Sequence, residues 1–131
     1  MRMLRRAGIA TVLAFSALPV LSGVAAADYV CASGEFCLYE NNDFNRGNTN
    51  HVQQWRNDDY DYRNNKWYNS NDVLDNEASS VRNRAGCRVT LYQHVGGTGA
   101  RTTFNNGAAD GYLRNNSIGD NRASAHNVHC R

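Results

Sequence analysis

The chain has 131 residues, with 14 Lys and Arg against 12 Asp and Glu. Arg2, Arg5 and Arg6 fall in the first six positions, so beyond residue 27 the balance is 11 basic against 12 acidic, a formal charge of −1. That balance argues against nucleic acid or an anionic membrane as a partner, and about 104 residues make one domain with one core.

The three arginines open a basic start, an apolar run follows from about residue 7 to 24, and Ala25-Ala26-Ala27 supplies small residues. This is the pattern of a secretory signal peptide, with cleavage expected after Ala27 and Ala26 as the alternative. The expected mature domain is 28–131, with a first half of about 35–85 and a second of about 86–131. No other apolar stretch is long enough to cross a bilayer. The domain is expected to be secreted, and to act as a monomer.

Cys31, Cys37, Cys87 and Cys130 all follow the signal segment. An even count in an exported chain reads as disulfides, and three pairings are possible. Spacing favours Cys31 with Cys37 and Cys87 with Cys130, the first pair being close in sequence and the second joining the ends of the latter half. A Cys/His zinc site using His126 or His129 is the weaker reading, because those two side chains would point to opposite sides of a strand.

Apart from Pro19 in the signal segment the chain has no Pro, and it is rich in Asn and Gly with short apolar alternations and no long helical stripe. This reads as an all-β domain. A strand is expected at 36–39, followed by a polar turn from Tyr39 to Gly47 and a strand near 49–55. The order recurs after Cys87: a strand at 89–93, a turn from Tyr92 to Gly99, then a strand at 101–104. Asn106-Gly107 and Asp110-Gly111 are turn signals. Asp75-Asn76-Glu77-Ala78-Ser79-Ser80 returns as Asp120-Asn121-Arg122-Ala123-Ser124-Ala125, each copy running into a short strand at 80–83 and 125–128. Each half thus reads strand, Tyr-led turn, strand, connection, Asp-Asn loop, strand. Two such halves of four short strands make a pair of Greek keys packed as a sandwich. The repeated loops offer a carboxylate, an amide and a hydroxyl, oxygen ligands suited to calcium; their other reading is as side-chain caps of two turns.

From Trp55 to Tyr68 the first half carries an insertion that the second lacks. Trp55, Tyr60, Tyr62, Trp67 and Tyr68 alternate there with Asn, Asp, Arg and Lys. Rigid aromatics among adaptable polar groups suit a partner-binding surface. The other reading has Trp55, Tyr62 and Trp67 plugging one end of the sandwich. Motifs of catalysis are missing: there is no Gly-x-Ser-x-Gly, no His-Glu-x-x-His, and Gly96-Gly97-Thr98-Gly99 precedes no helix. The expectation is a non-enzyme.

The Tyr-led turns ending in Gly, paired with downstream Asp-Asn loops, resemble microbial βγ-crystallin domains over most of residues 35–130. The chain departs from that pattern at Gly97 (an aromatic in the family), at Gly47 (one position late) and at Ala125 (Ser in the family). The resemblance implies up to two calcium ions. The ligands carried over are Asp75 or Asn76, the carbonyl of Glu77 and the hydroxyl of Ser79 in one loop. In the other they are Asp120 or Asn121, the carbonyl of Arg122 and the hydroxyl of Ser124. Glu40 and Gln93, each following a Tyr, complete the shells. So few formal charges imply an affinity of about 10⁻⁵ to 10⁻³ M.

Cys31-Ala32-Ser33-Gly34-Glu35-Phe36-Cys37-Leu38-Tyr39 resembles the N-terminal segment of secreted bacterial metalloproteinase inhibitors, a peptidase-inhibitor family on the same fold. That resemblance implies an extracellular protease as partner and a rigid, disulfide-tied loop as the contact. Cys87 has no near partner for the second short Cys-to-Cys loop that carries the reactive bond in characterised inhibitors. The alternative function is a calcium-stabilised extracellular module binding a glycan, a cell surface or a target cell.

Overall fold

A computed structural model describes residues 27–130 of the chain. The expected signal segment, Ala27 apart, lies outside the described residues.

In chain order the strands are β1 Phe36–Tyr39, β2 Val52–Trp55, β3 Ser80–Asn83, β4 Arg88–His94, β5 Thr98–Phe104, β6 Ala109–Asp110 and β7 Ala125–His129. Single 3₁₀ turns at Asp43–Asn45, Tyr62–Asn64 and Leu113–Asn115 are the only helical pieces among the described residues. The strands form two antiparallel sheets, ordered β2-β1-β3-β6 and β5-β4-β7. Each half lends a segment to the sheet of the other. From the second half, β6 pairs with β3. From the first, Asp59 makes a bridge to His126 of β7, with N···O distances of 3.1 and 2.7 Å.

Successive strand residues point to opposite faces. Phe36, Leu38, Val81, Val89 and Leu91 therefore turn into one core between the sheets, with Tyr62, Trp67, Leu74, Leu113 and Ile118 closing it. The other face of β1 is buried too. Cys37 and Tyr39 pack there with Cys31 and Val52, covered by Tyr29 and Phe44. This two-sided burial is why Phe36-Cys37-Leu38-Tyr39 reads as an unbroken apolar run rather than an alternation. Disulfides join Cys31 to Cys37 and Cys87 to Cys130.

Three details differ from the sequence reading. The strand expected at 49–55 begins only at Val52, because His51 sits at φ 58° and the Asn45 side-chain amide donates to the carbonyls of Asn50 and His51 at 2.9 and 2.7 Å. A residue in the left-handed region cannot continue a pleated strand. The first half also falls short of four strands: its fourth member is the single Asp59 bridge. The turn expected from Tyr92 to Gly99 is a hairpin in which β4 runs on to His94, with a bulge between Tyr92 and His94.

Candidate functional site

The two Asp-Asn loops bond to each other in matching, reciprocal pairs. Asn76 (φ 61°) donates its N–H to the Ala123 carbonyl at 3.0 Å, and Asn121 (φ 54°) donates to Ala78 at 3.0 Å. Ser79 Oγ donates to Asn121 Oδ1 at 3.3 Å, and Ser124 Oγ to Asn76 Oδ1 at 3.2 Å. Ser79 N–H reaches the Tyr39 carbonyl and Ser124 N–H the Tyr92 carbonyl, both at 2.9 Å. Asn is one of the few non-Gly residues that tolerates positive φ, which accounts for Asn at the second place of each loop. Ala78 and Ala123 are fully buried, so the crossing leaves no room for a larger side chain there.

Beside the first loop lies a cleft of about 370 Å³ lined by Glu40, Asn41, Asn76, Glu77, Ser79 and Asn121. Glu77 Oε2 accepts from Trp67 Nε1 at 3.0 Å, which turns one carboxylate oxygen away and leaves Oε1 and the backbone carbonyl as further acceptors. Asp75 Oδ1 and Asp120 Oδ1, in corresponding places, are buried acceptors without a hydrogen-bond partner. A buried carboxylate oxygen is rarely left unmatched, and the cleft itself offers carboxylate, amide and hydroxyl oxygens of the kind a hard cation takes. Of the carried-over ligands, Gln93 stands apart: its Oε1 accepts from Ala100 N–H at 3.2 Å, within its own hairpin. Arg122 is exposed, its stem lying against Gly119. The first loop is therefore the richer in free oxygen. Asn41 joins the cleft although sequence reasoning passed over it; its place next to Glu40 in the Tyr-led turn was the available signal.

Ser80 and Ala125 close the repeated loops and differ in consequence. Ser80 Oγ donates to the Asn41 carbonyl at 2.6 Å and accepts from Phe44 N–H at 3.0 Å, stapling the first Tyr-led turn. Ala125 has no hydroxyl for this. The second turn is held instead from the insertion, by Gly96 N–H donating to the Tyr60 carbonyl at 2.8 Å.

The insertion itself is mostly interior. Tyr62 and Trp67 are buried, Trp55 is half-buried, and Tyr60 and Tyr68 are exposed. Trp55 stacks on Tyr62 with centroids 5.2 Å apart, and both pack against His126. Of the two readings of the insertion, the interior one holds for Tyr62 and Trp67, which are core residues and drop out of the candidate contact surface. Beside them Asp59 and Asn65 bond inward, whereas Asp61 pairs with Arg63 at the surface. Asp59 accepts from Trp55 Nε1 at 3.1 Å and from Asn65 Nδ2.

At the N-terminal edge, Asp28 accepts from Gly47 N–H, Tyr29 packs on the Cys31–Cys37 cluster, and Arg84 Nη1 donates to the Cys31 carbonyl at 2.7 Å. Between these anchors Val30 turns outward, 76% exposed.

A family model described as peptidase inhibitor family I36 matches residues 24–103. No curated protein matches the chain. Among solved structures it is similar to a domain from a study of the evolution of the eye lens βγ-crystallin fold, at 18% identity over 76% of this chain and 89% of that one, with a TM-score of 0.62. It is similar also to a βγ-crystallin from Ciona intestinalis, at 12% identity over 73% and 100% of the two chains, TM-score 0.59. A βγ-crystallin domain from Flavobacterium johnsoniae shares 23% identity over 73% and 94%, TM-score 0.55. These structures show the fold: paired Greek keys of the βγ-crystallin type.

Proposed function

The chain belongs to peptidase inhibitor family I36, and from that membership we propose that it is a secreted, non-enzymatic protein that binds and inhibits an extracellular protease. The family match over residues 24–103 carries this reading. The family and the two disulfides are compatible with an extracellular protein. The protease-facing segment is assigned to Asp28–Ser33. Supporting it, Tyr29 and Cys31 point inward and Val30 outward, the period of an extended chain such as a protease cleft accepts. The anchors on either side pre-organise the segment, which lowers the ordering cost of binding. The Cys31–Cys37 bridge serves as the tie in place of a second short Cys loop.

Calcium at the Asp-Asn loops is part of the same proposal, with Glu40, Asn76, Ser79, Asn121 and the Glu77 carbonyl around the first ion, and Asp120, Ser124 and the Arg122 carbonyl toward a weaker second. The orphaned Asp75 and Asp120 oxygens support it. When bound, calcium would supply positive charge that joins the two halves.

Initial rates of a thermolysin-type and a subtilisin-type protease, measured against rising concentrations of the oxidised protein, test the inhibitor reading. Slow, tight inhibition of one class is expected, and Val30→Asp raises the inhibition constant at least about tenfold, a loss of about 1.4 kcal/mol. The melting temperature of that variant stays unchanged, since Val30 is exposed. Steady degradation of the wild type by both proteases would overturn the reading.

A further inference from the structure

We propose that Glu40, His51 and Asp72 form a site for a divalent transition ion of the zinc type, separate from the Asp-Asn loops apart from the shared edge at Glu40. One ligand atom from each residue lies within 4.8 Å of the other two. Zinc binds imidazole nitrogen at about 2.0–2.1 Å and carboxylate oxygen at about 2.0–2.2 Å, so a triangle of that size closes on an ion with small side-chain rotations. An imidazole with two carboxylates, leaving one position for water or a bound group, is a borderline donor set. It selects zinc or its neighbours over calcium, which takes oxygen throughout.

The three residues come from separate segments that the backbone brings together. Glu40 and His51 follow β1 and precede β2, and Glu40 N–H donates to the His51 carbonyl at 3.1 Å, one step beyond the Tyr39–Val52 pair. Residues 66–73 fold back as a small hairpin, with Trp67 N–H donating to the Asp72 carbonyl at 3.1 Å and a bridge between Lys66 and Val73. This hairpin is tied to the β2 end: His51 N–H reaches the Tyr68 carbonyl and Tyr68 N–H the Val52 carbonyl, both at 3.0 Å. Asn69 Nδ2 adds a contact to Asn50 Oδ1 at 3.2 Å. The backbones carrying the ligands are thus held before any ion arrives, as a metal site requires.

Two further observations point to a cation. His51 Nδ1 is buried and makes no bond of hydrogen-bonding geometry, although Glu40 Oε2 lies against it within ion-pair range. By distance the two are an ion pair, by angle they are not hydrogen-bonded. A nitrogen lone pair against a carboxylate oxygen is repulsive, so the pair needs a positive charge, either a proton on the ring or a metal ion that draws the two ligand atoms apart to its own bond lengths. Second, Glu40 and Asp72 bring two carboxylates together, and neither pairs with a Lys or Arg among the described residues; the arginine ion pairs go to Asp43, Glu35 and Asp61. Like charges at such range are relieved by a cation shared between them, by a protonated His51, or by a proton on one carboxylate, and the metal titration separates the first from the others.

The test is a titration of the purified, oxidised protein, in calcium-free buffer, with Co²⁺ followed by Zn²⁺. Visible d–d absorption reports the cobalt complex, and competition with a chromophoric chelator reports zinc affinity. One equivalent of Co²⁺ is expected to bind and to be displaced by Zn²⁺. His51→Ala and Asp72→Asn each weaken zinc binding by about 100-fold or more, beyond the roughly 10–100-fold cost of losing only an outer hydrogen-bond partner of a metal ligand. His94→Ala, at an exposed histidine elsewhere, leaves the affinity unchanged, and so does Ser79→Ala in the calcium cleft. Asp72 is exposed, so Asp72→Asn keeps the fold even if His51→Ala does not. No saturable binding by the wild type, retained affinity in Asp72→Asn, or an equal loss in His94→Ala would each overturn the proposal. The Ser79→Ala arm keeps this result independent of whether the calcium reading holds.

Discussion

His126 shows how much one side chain can commit in this fold. It is fully buried, with Nε2 2.8 Å from the Asn57 carbonyl and Nδ1 2.6 Å from Tyr62 Oη. A carbonyl only accepts, so Nε2 carries the proton and Nδ1 accepts from the Tyr62 hydroxyl. Burial pushes the His126 pKa down from 6.5 to about 4, and burial followed by the Asp59 charge pushes Tyr62 well above its ordinary value. Tyr62 thus stays a neutral donor and His126 a neutral acceptor. The linkage sign follows: between pH 6.5 and 4 the unfolded chain binds the proton and the folded one does not, so stability falls as pH falls through that window. The loss amounts to about 3 kcal/mol, since each tenfold difference in proton affinity between the two states is worth about 1.36 kcal/mol. Urea melts at a series of pH values should show it, and a His126→Gln variant, though less stable throughout, should show a shallower slope. Tyr62→Phe leaves Nδ1 buried without a donor and costs about 1–3 kcal/mol at neutral pH. At this scale the sequence was a poor guide. It left Tyr62 open between surface and interior and carried no sign of the bond to His126, since the two lie 64 residues apart and meet only where the halves pack.

At the scale of elements, the repeated loops are built alike but end differently. Each contributes an Asn at positive φ, a crossing backbone bond and a serine hydroxyl to its twin. The first has Glu40 and Asn41 beside it, whereas Gln93, the corresponding residue of the second half, is held in its own hairpin, and the second loop carries Arg122. In millimolar calcium against excess chelator the melting temperature should rise by about 5 °C or more, because a ligand bound only to the native state stabilises it. Ser79→Ala should reduce that rise more than Ser124→Ala. An identical melt in calcium and chelator would leave the loops as turn caps. These loops were legible because their chemistry is local: carboxylate, amide and hydroxyl recur at fixed spacing. The Glu40, His51 and Asp72 cluster was not, since its members are 11 and 21 residues apart and meet only when the 66–73 hairpin folds onto the end of β2.

For the whole molecule, exchange between the halves is the organising fact. The core draws Phe36, Leu38, Trp67 and Leu74 from one half and Val89, Leu91, Phe104 and Ile118 from the other, in a single cluster. With β6 completing the first sheet and Asp59 bridging the second, neither half can bury its apolar face alone. A fragment spanning residues 28–85 should therefore show no cooperative thermal transition, by circular dichroism, where the intact domain does; a cooperative melt of the fragment would contradict this account.

What the sequence determined by itself is what short-range chemistry encodes. The Tyr-led turns with their glycines, the duplicated Asp-Asn loops, the cysteine spacing and the apolar β1 run pointed to an all-β, disulfide-tied pair of Greek keys resembling βγ-crystallin domains and a secreted inhibitor family. What only the tertiary structure decided was which aromatics are interior and which segments cross between halves. It also decided which oxygens converge and where Val30 is left outward. Those outcomes depend on contacts between residues distant in the chain, and alternation of polar and apolar side chains carries no record of the partner strand. Trp67, which the sequence left open between a contact surface and the sandwich interior, is buried in the core that both halves share, its area removed from water.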